Sequence, residues 1–449
     1  MKSQDMIHGS IYKSILLFSL PLLAGNLFQQ LYNTVDSYVV GNFVSSYALA
    51  AVGQSTPIIN TIIGFFTGLA TGAGVVISQY YGAKEIEKMK NAIHTSIALT
   101  LVLCVVFTIV GTTITKPILI AIGSPKEIMP LGSLYLRIYF SGIAFSLIYN
   151  MGSGILRSLG DSKNPLIYLV ISSIVNIFLD LLFVIYLKMG VAGVGIATVI
   201  AQAVSCLLVM YQLVHTDQIY KVTIRKICFT KQILFRIISI GIPAALQNCI
   251  VSFSNVWVQS YISRFGAVAV AGYSSTIKLD GFAQLPVQSF SMAVTTFVGQ
   301  NYGAKKYDRV FKGLYAALAM ACSTIIVIAI LLYWKGEFLV GLFSKDVAVI
   351  AAGYTMIIAF VPGYVFLPIC HVTAGALRGI GLSKVPMFSM IVFFVIIRQI
   401  YLAVATTLRP ALLTVFLAWP ITWFLNSIFL TIYYYIYAKK LMKGEIRYV

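Results

Sequence analysis

Charge is what this chain has least of. Only 10% of its 449 residues are charged, and 13 of these are acidic, whereas soluble domains carry about 25% charged residues. That shortage excludes an ordinary soluble fold. No run of alternating polarity about 10 residues long recurs, which excludes a membrane β-barrel. The chain has no HExxH, no P-loop and no Ser/Lys or His/Asp constellation, so a membrane enzyme or an ATP-driven pump is not expected. Six cysteines are scattered without CxxC or Cys/His metal spacing and read as reduced, small apolar residues. The four histidines do not cluster, and only His371 sits deep in an apolar segment. No resident cofactor is expected.

Apolar sequence fills the space that charge leaves, at 59% of residues. A helix needs about 20 such residues to cross a bilayer. Twelve spans are read roughly at 15–40, 53–79, 92–114, 133–155, 166–187, 191–212, 233–261, 272–297, 313–333, 349–374, 387–407 and 412–437. The first is too long for a signal h-region and is taken as a membrane span. The fold class is therefore an all-α polytopic membrane protein. With both termini in the cytoplasm, about 22 of the 32 basic residues fall on that side, Lys2, Lys221, Lys305, Lys443 and Arg447 among them. The net charge of +19 thus reads as the positive-inside signature of a multi-pass protein of the cell (inner) membrane, not as nucleic-acid binding.

The halves repeat. "SQYYGAKE" at 78–85 returns as "GQNYGAKK" at 299–306, and "GILRSLGDSKNP" at 154–165 as "GALRGIGLSKVP" at 375–386, both 221 residues apart. The expected organisation is an N-lobe over 1–215, a basic linker over 216–232 and a C-lobe over 233–449. Six spans per unit make this a parallel repeat, two lobes related by a pseudo-two-fold axis along the membrane normal, with the substrate cavity expected between them. The two motif pairs resemble those of the multidrug and toxic compound extrusion (MATE) transporters, over nearly the whole chain. The resemblance implies antiport: organic, often cationic compounds leave against inward H⁺ or Na⁺. Small-molecule substrates, the bilayer and a monomeric state are the expected partners. A flippase of lipid-linked oligosaccharides is the alternative. It would need several cavity cations to hold a diphosphate, and only Arg398, with Arg137 or Lys278, could supply them.

The scarce carboxylates carry the functional signal. A carboxylate at mid-membrane costs on the order of 2.5–3.5 kcal/mol on insertion scales, so an intramembrane acid is a functional candidate. Asp36 and Asp180 lie deep in apolar sequence, and Asp280 lies nearer a span end beside Lys278. Asp36 belongs to a polar stripe with Asn26, Gln29, Gln30, Asn33 and Ser37, at spacings of three and four. Such a stripe faces a cavity or another helix rather than lipid. Pro21 precedes it and is the candidate hinge. Asn176 and Asp180 share a helix face four residues apart, and Thr198 follows on the sixth span. All four side chains present oxygen, which suits hard cations. In the MATE family this set forms the N-lobe cation site, which makes Asp36, Asn176, Asp180 and Thr198 the expected H⁺ or Na⁺ coupling residues. The repeat puts Gln259 where Asp36 stands and Ile397 and Tyr401 where Asn176 and Asp180 stand, so the C-lobe lacks that carboxylate set. Gln29, Asn33, Tyr135, Tyr139, Asn255, Gln259, Asp280 and Arg398 are candidate cavity residues. Arg398 is expected either to pair within the C-lobe, with Asp280 as the nearest choice, or to bias the substrate cavity.

Overall fold

The computed structural model describes residues 5–442; Lys2, Lys443 and Arg447, counted above as cytoplasmic, lie outside them. Every element of regular structure among the described residues is helical. In the first half these are α1 (Ile11–Phe43), α2 (Ser46–Gly82), α3 (Ile86–Ala121), α4 (Met129–Ser141), α5 (Ile143–Ser158), α6 (Lys163–Asp180) and α7 (Gly190–His215). The second half holds α8 (Lys231–Ser263), α9 (Ala267–Gly303), α10 (Tyr307–Gly341), α11 (Val347–Phe360), α12 (Phe366–Ile380), α13 (Lys384–Met390), α14 (Arg398–Leu408), α15 (Leu412–Phe416) and α16 (Ala418–Met442). Among the described residues nine helices are long and apolar enough to span a membrane, and two bent pairs raise the number to 11. The remaining expected span is α9, a helix of 37 residues. Its Lys278, Asp280, Gln284, Gln288, Gln300 and Asn301 make it more polar than the rest.

The bent pairs are the fourth span of each half. α4 and α5 meet at 49°, and the α11 and α12 spans at 56°. Gly142 marks the first bend, where a Cβ would clash with the Val199 side chain. A 3₁₀ turn, Val361–Gly363, marks the second, with Pro362 unable to continue an α-helical ladder. The fifth spans also share a device. A π-helical segment, Leu181–Tyr186, extends α6, and another, Ile391–Ile397, joins α13 to α14. Such segments widen the helix locally and concentrate at functional sites.

The two repeated motifs are turns that end helices. Lys84 and Lys305 occupy the left-handed region at φ 59° and 58°, and matching pairs of backbone bonds close their loops: Lys84 N–H to Tyr81 and Glu85 N–H to Tyr80, Lys305 N–H to Tyr302 and Lys306 N–H to Asn301. Gly160 and Gly381, at φ 91° and 101°, stop α5 and α12. In each, the next residue's N–H reaches back five positions, from Asp161 to Leu156 and from Leu382 to Leu377, the Schellman pattern that favours glycine.

By their contacts the described residues fall into two compact units. Unit 1 comprises Pro21–Gly241; unit 2 comprises Asp5–Leu20 and the residues from Ile242 onward. The segment expected as a linker, 216–232, belongs to unit 1 in this division. Its Thr223 N–H donates to His94 Nε2 at 3.1 Å, and Thr95 Oγ1 bonds both the Cys228 carbonyl and the Thr230 N–H. The α1 helix runs unbroken through Pro21, and α8 through Pro243.

In unit 2 the segment before α1 is gripped by the second copy of the loop motif. Asn301 Nδ2 donates to the Met6 carbonyl at 2.9 Å, Lys306 Nζ to that of Ile7 at 3.1 Å, and Arg309 Nη1 to that of Gly9 at 2.9 Å. Met6 itself is fully buried. Asp5 stiffens the segment. Partial burial opposes ionisation of its carboxyl, but hydrogen bonds from the His8 ring and from the Ile7 and His8 backbone outweigh that and hold it below the usual carboxylate range.

Candidate functional site

In unit 1 the fold brings the expected carboxylates together. Asp36 projects from α1 and Asp180 from the end of α6. Their carboxyl groups lie close enough to interact electrostatically. Both are buried, Asp180 at 0% exposure, together with Asn176 at 2% and Thr198 at 6%. The i, i+4 spacing on α6 keeps Asn176 and Asp180 on one face.

Five of these atoms are buried without a hydrogen-bond partner: Asp36 Oδ1, both Asp180 oxygens, and Asn176 Oδ1 and Nδ2. Buried polar groups are normally satisfied within the protein, so each exception calls for an explanation. Three carboxyl oxygens and an amide oxygen, all lacking donors, form an oxygen set that fits a proton or a small hard cation. Thr198 is less committed to that set, because its hydroxyl donates to the Val194 carbonyl at 2.9 Å, as Thr in a helix usually does.

Aromatic side chains wall the pair. Tyr135 lies among Asp36, Asp180, Tyr139 and Tyr32, and the Tyr135 and Tyr139 rings are 6.5 Å apart. Both tyrosines are buried. Tyr32 was not among the sequence candidates, although it stands four residues before Asp36. The three-and-four spacing of the stripe was the signal that could have found it. Gln29 and Asn33 are exposed on the open side of α1.

Unit 2 differs from expectation at its charged residues. Asp280 pairs with neither Lys278 nor Arg398. It accepts a hydrogen bond from Tyr364 OH at 2.9 Å and one from Gln284 Nε2 at 2.5 Å. Lys278 is exposed, with its ammonium over the Phe343 ring. The hydroxyl and amide donors satisfy the carboxyl from within the bundle, and Lys278 keeps its charge in a more solvated place. Arg398 instead reaches α8 and α16. Its Nη1 donates to Asn255 Oδ1 at 3.2 Å and its Nη2 to Thr422 Oγ1 at 2.9 Å. Asn255 is thus a partner of Arg398, whereas Gln259, one turn further along α8, is exposed. Thr422 and Trp419 were not among the sequence candidates either. Thr422 stands 224 residues after Thr198, close to the repeat interval, which was the available signal.

The comparisons with known proteins agree with this layout. The MatE family profile matches residues 21–182 and 243–404, once for each half. The chain is 30% identical over 399 residues to "Probable multidrug resistance protein YpnP" of Bacillus subtilis (strain 168), covering 88% of this chain and 89% of that one. It is 25% identical over 354 residues to "Multidrug export protein MepA" of Staphylococcus aureus (strain N315), covering 78% of each. Among solved structures it is similar to an outward-facing "multidrug resistance MATE family transporter of the MOP superfamily", with a TM-score of 0.93, 24% identity and coverage of 98% of this chain and 99% of that one. A MOP superfamily transporter from Pyrococcus furiosus matches with the same TM-score and coverage at 23% identity. A twice-repeated helical unit, its bent fourth spans and a family profile on both halves lead to one conclusion: this chain belongs to the MatE family of multidrug and toxic compound extrusion transporters, membrane proteins that move small molecules rather than transform them.

Proposed function

We propose that this protein is a secondary active exporter in the cell membrane. It expels amphipathic organic cations by alternating access, in exchange for H⁺ or Na⁺ entering from outside. The observation that carries this reading is the Asp36–Asp180 pair, buried beside an Asn176 whose amide has no partner. Two facing carboxylates in a water-poor bundle repel each other unless a positive charge joins them. A proton or Na⁺ is the smallest charge that can do so. The residues fit Na⁺ as well as H⁺: both carboxyl groups and Asn176 Oδ1 would hold the ion, which would supply only charge.

Coupling requires that this occupancy differ between the inward- and outward-open states. Neutralising the pair changes the force on α1, whose Pro21 lacks the N–H that would stiffen the helix there. The bound organic cation then loses an electrostatic hold. Sorting the basic residues places both termini in the cytoplasm, and the chain works as a monomer.

Proteoliposomes given either a pH gradient or a Na⁺ gradient test this reading. Asp36→Asn and Asp180→Asn should fold and insert, because each removes a buried charge at constant volume. Both should abolish ion-driven transport of a cationic dye. Gln259→Ala should leave most of it intact, since that side chain cannot titrate. Normal gradient-driven transport by Asp36→Asn would reject the mechanism. Flipping of a diphosphate lipid with no dye transport would favour the flippase instead.

A further inference from the structure

Among the described residues Arg398 is the one Lys or Arg that is fully buried, at 1% exposure. It is also a cation without an anion. The salt bridges among the described residues join Glu85, Glu87 and Asp308 to lysines three or four positions away, Asp5 contacts His8, and none of these residues' carboxylates or any other lies within 4.0 Å of the Arg398 guanidinium. Its hydrogen bonds go to neutral oxygens only: Asn255 Oδ1 at 3.2 Å, Ser254 Oγ at 3.4 Å and Thr422 Oγ1 at 2.9 Å. Both hydroxyls spend their own protons elsewhere, Ser254 on the Phe394 carbonyl and Thr422 on that of Ala418. The Nε–H is buried and has no partner. The Phe394 and Trp419 rings flank the guanidinium with centroids at 4.9 and 5.4 Å. Trp419 Nε1 donates to the same Asn255 oxygen at 3.3 Å. Asp280, the buried carboxyl of this unit, is held by Tyr364 and Gln284, and Tyr273 lies within electrostatic reach of both Asp280 and Arg398.

Dipoles and aromatic faces soften the burial of a charge, but a buried charge is normally paired, because removal from water costs several kcal/mol per ion. Unit 1 presents the inverse arrangement on the corresponding spans. There the first span, the fifth and the sixth carry Asp36, Asp180 and Thr198. Here they carry Asn255, Arg398 and Thr422. Both units bring polar groups together from these three spans, around acids in unit 1 and around a cation in unit 2, although Asn255 and Arg398 are not the repeat counterparts of Asp36 and Asp180.

We propose that Arg398 and the groups around it in unit 2 form an anion site, taking one monovalent anion of halide size or a carboxylate group, with the guanidinium as counter-charge and its Nε–H as the uncommitted donor. This goes beyond cation-coupled export and does not depend on which ion drives it. An anion bound there stabilises the folded protein by mass action, so stability rises with anion concentration and then saturates.

The test uses the purified full-length protein in detergent, at constant Na⁺ and constant ionic strength, with isethionate as the bulky background anion. Chloride, iodide or benzoate replaces isethionate stepwise, while Tm and tryptophan fluorescence are followed. The expected result is a saturable rise in Tm, with saturable iodide quenching from Trp419 beside the site. Both should be absent in Arg398→Gln. Should Arg398→Gln fail to fold, Arg398→Lys keeps the charge and loses the forked donors; its anion affinity should fall by about tenfold or more, the worth of a charge-assisted hydrogen bond. A response to chloride supports a free inorganic anion as occupant, and a response to benzoate alone supports the carboxylate of an organic molecule. No saturable response in the native protein, or an equal one in Arg398→Gln, overturns the proposal and leaves Arg398 balanced by Asp280 through Tyr273.

Discussion

At the scale of single residues, partnering separates the two kinds of buried acid in this chain. The Asp280 oxygens each accept a donor, from Tyr364 and from Gln284. Both Asp180 oxygens accept none. A satisfied carboxyl is a structural element, and an unsatisfied pair is suited to taking up a charge. Tyr364→Phe should therefore lower stability by roughly 1–3 kcal/mol, the cost of stranding a buried acceptor. The measurement is thermal or denaturant unfolding in detergent, and no loss would show that solvent reaches Asp280. Asn176→Ala should act differently. It removes two unpartnered atoms, so stability should hold or rise, while the ion concentration that half-saturates transport should increase about tenfold if one charge-assisted contact is lost. Unchanged ion dependence would remove Asn176 from the site.

Between elements, backbone proximity sets the tolerances. A Cβ on Gly72 of α2 would sit 2.5 Å from the Gly241 backbone of α8, and one on Gly241 would sit 3.0 Å from Leu69 Cα. Neither neighbour can swing aside, since both are main chain. Gly72→Val should therefore cost about 1–3 kcal/mol, as overpacking does, and should appear as a lower Tm or poor insertion. Gly381→Ala puts a Cβ at φ 101°, and a non-glycine residue in a left-handed conformation costs roughly 1–2 kcal/mol. The grip on the amino-terminal segment is also testable. Arg309 donates to the Met6, His8 and Gly9 carbonyls, so Arg309→Gln should speed amide hydrogen exchange across residues 5–10. Unchanged exchange there would mean that buried Met6 and the Asn301 and Lys306 bonds hold the segment without Arg309.

For the whole molecule, topology is the open quantity. Cys228 is the exposed cysteine among the described residues, and it lies in the basic segment assigned to the cytoplasm. A membrane-impermeant thiol reagent should label it in inside-out vesicles and spare it in right-side-out ones, with Cys228→Ser as the blank. The reverse pattern would invert the orientation read from the lysines and arginines.

Composition alone determined that the chain is a bundle of membrane helices, because no soluble fold tolerates so few charges over such long apolar runs. The repeat was equally legible, since turn chemistry is local. A Gly at a left-handed position or a Y-G-A-K loop closes its helix by bonds to residues three to five positions away, and the same letters therefore produced the same turn twice. The polar stripe on α1 and the Asn176/Asp180 pair followed from helical spacing for the same reason. Other features depended on residues far apart in the chain. Nothing local announces that α1 leaves its first turns with unit 2, or that Asp280 is satisfied by Tyr364, 84 positions away. Nor does spacing reveal that Arg398 turns toward Asn255 and Thr422 instead of a carboxylate. Periodicity assigns a side chain to a face, but its charge balance depends on which other helix packs there. That packing is decided by tertiary contacts, as within unit 1, where Gly72 meets the Gly241 backbone because neither residue has a side chain to hold them apart.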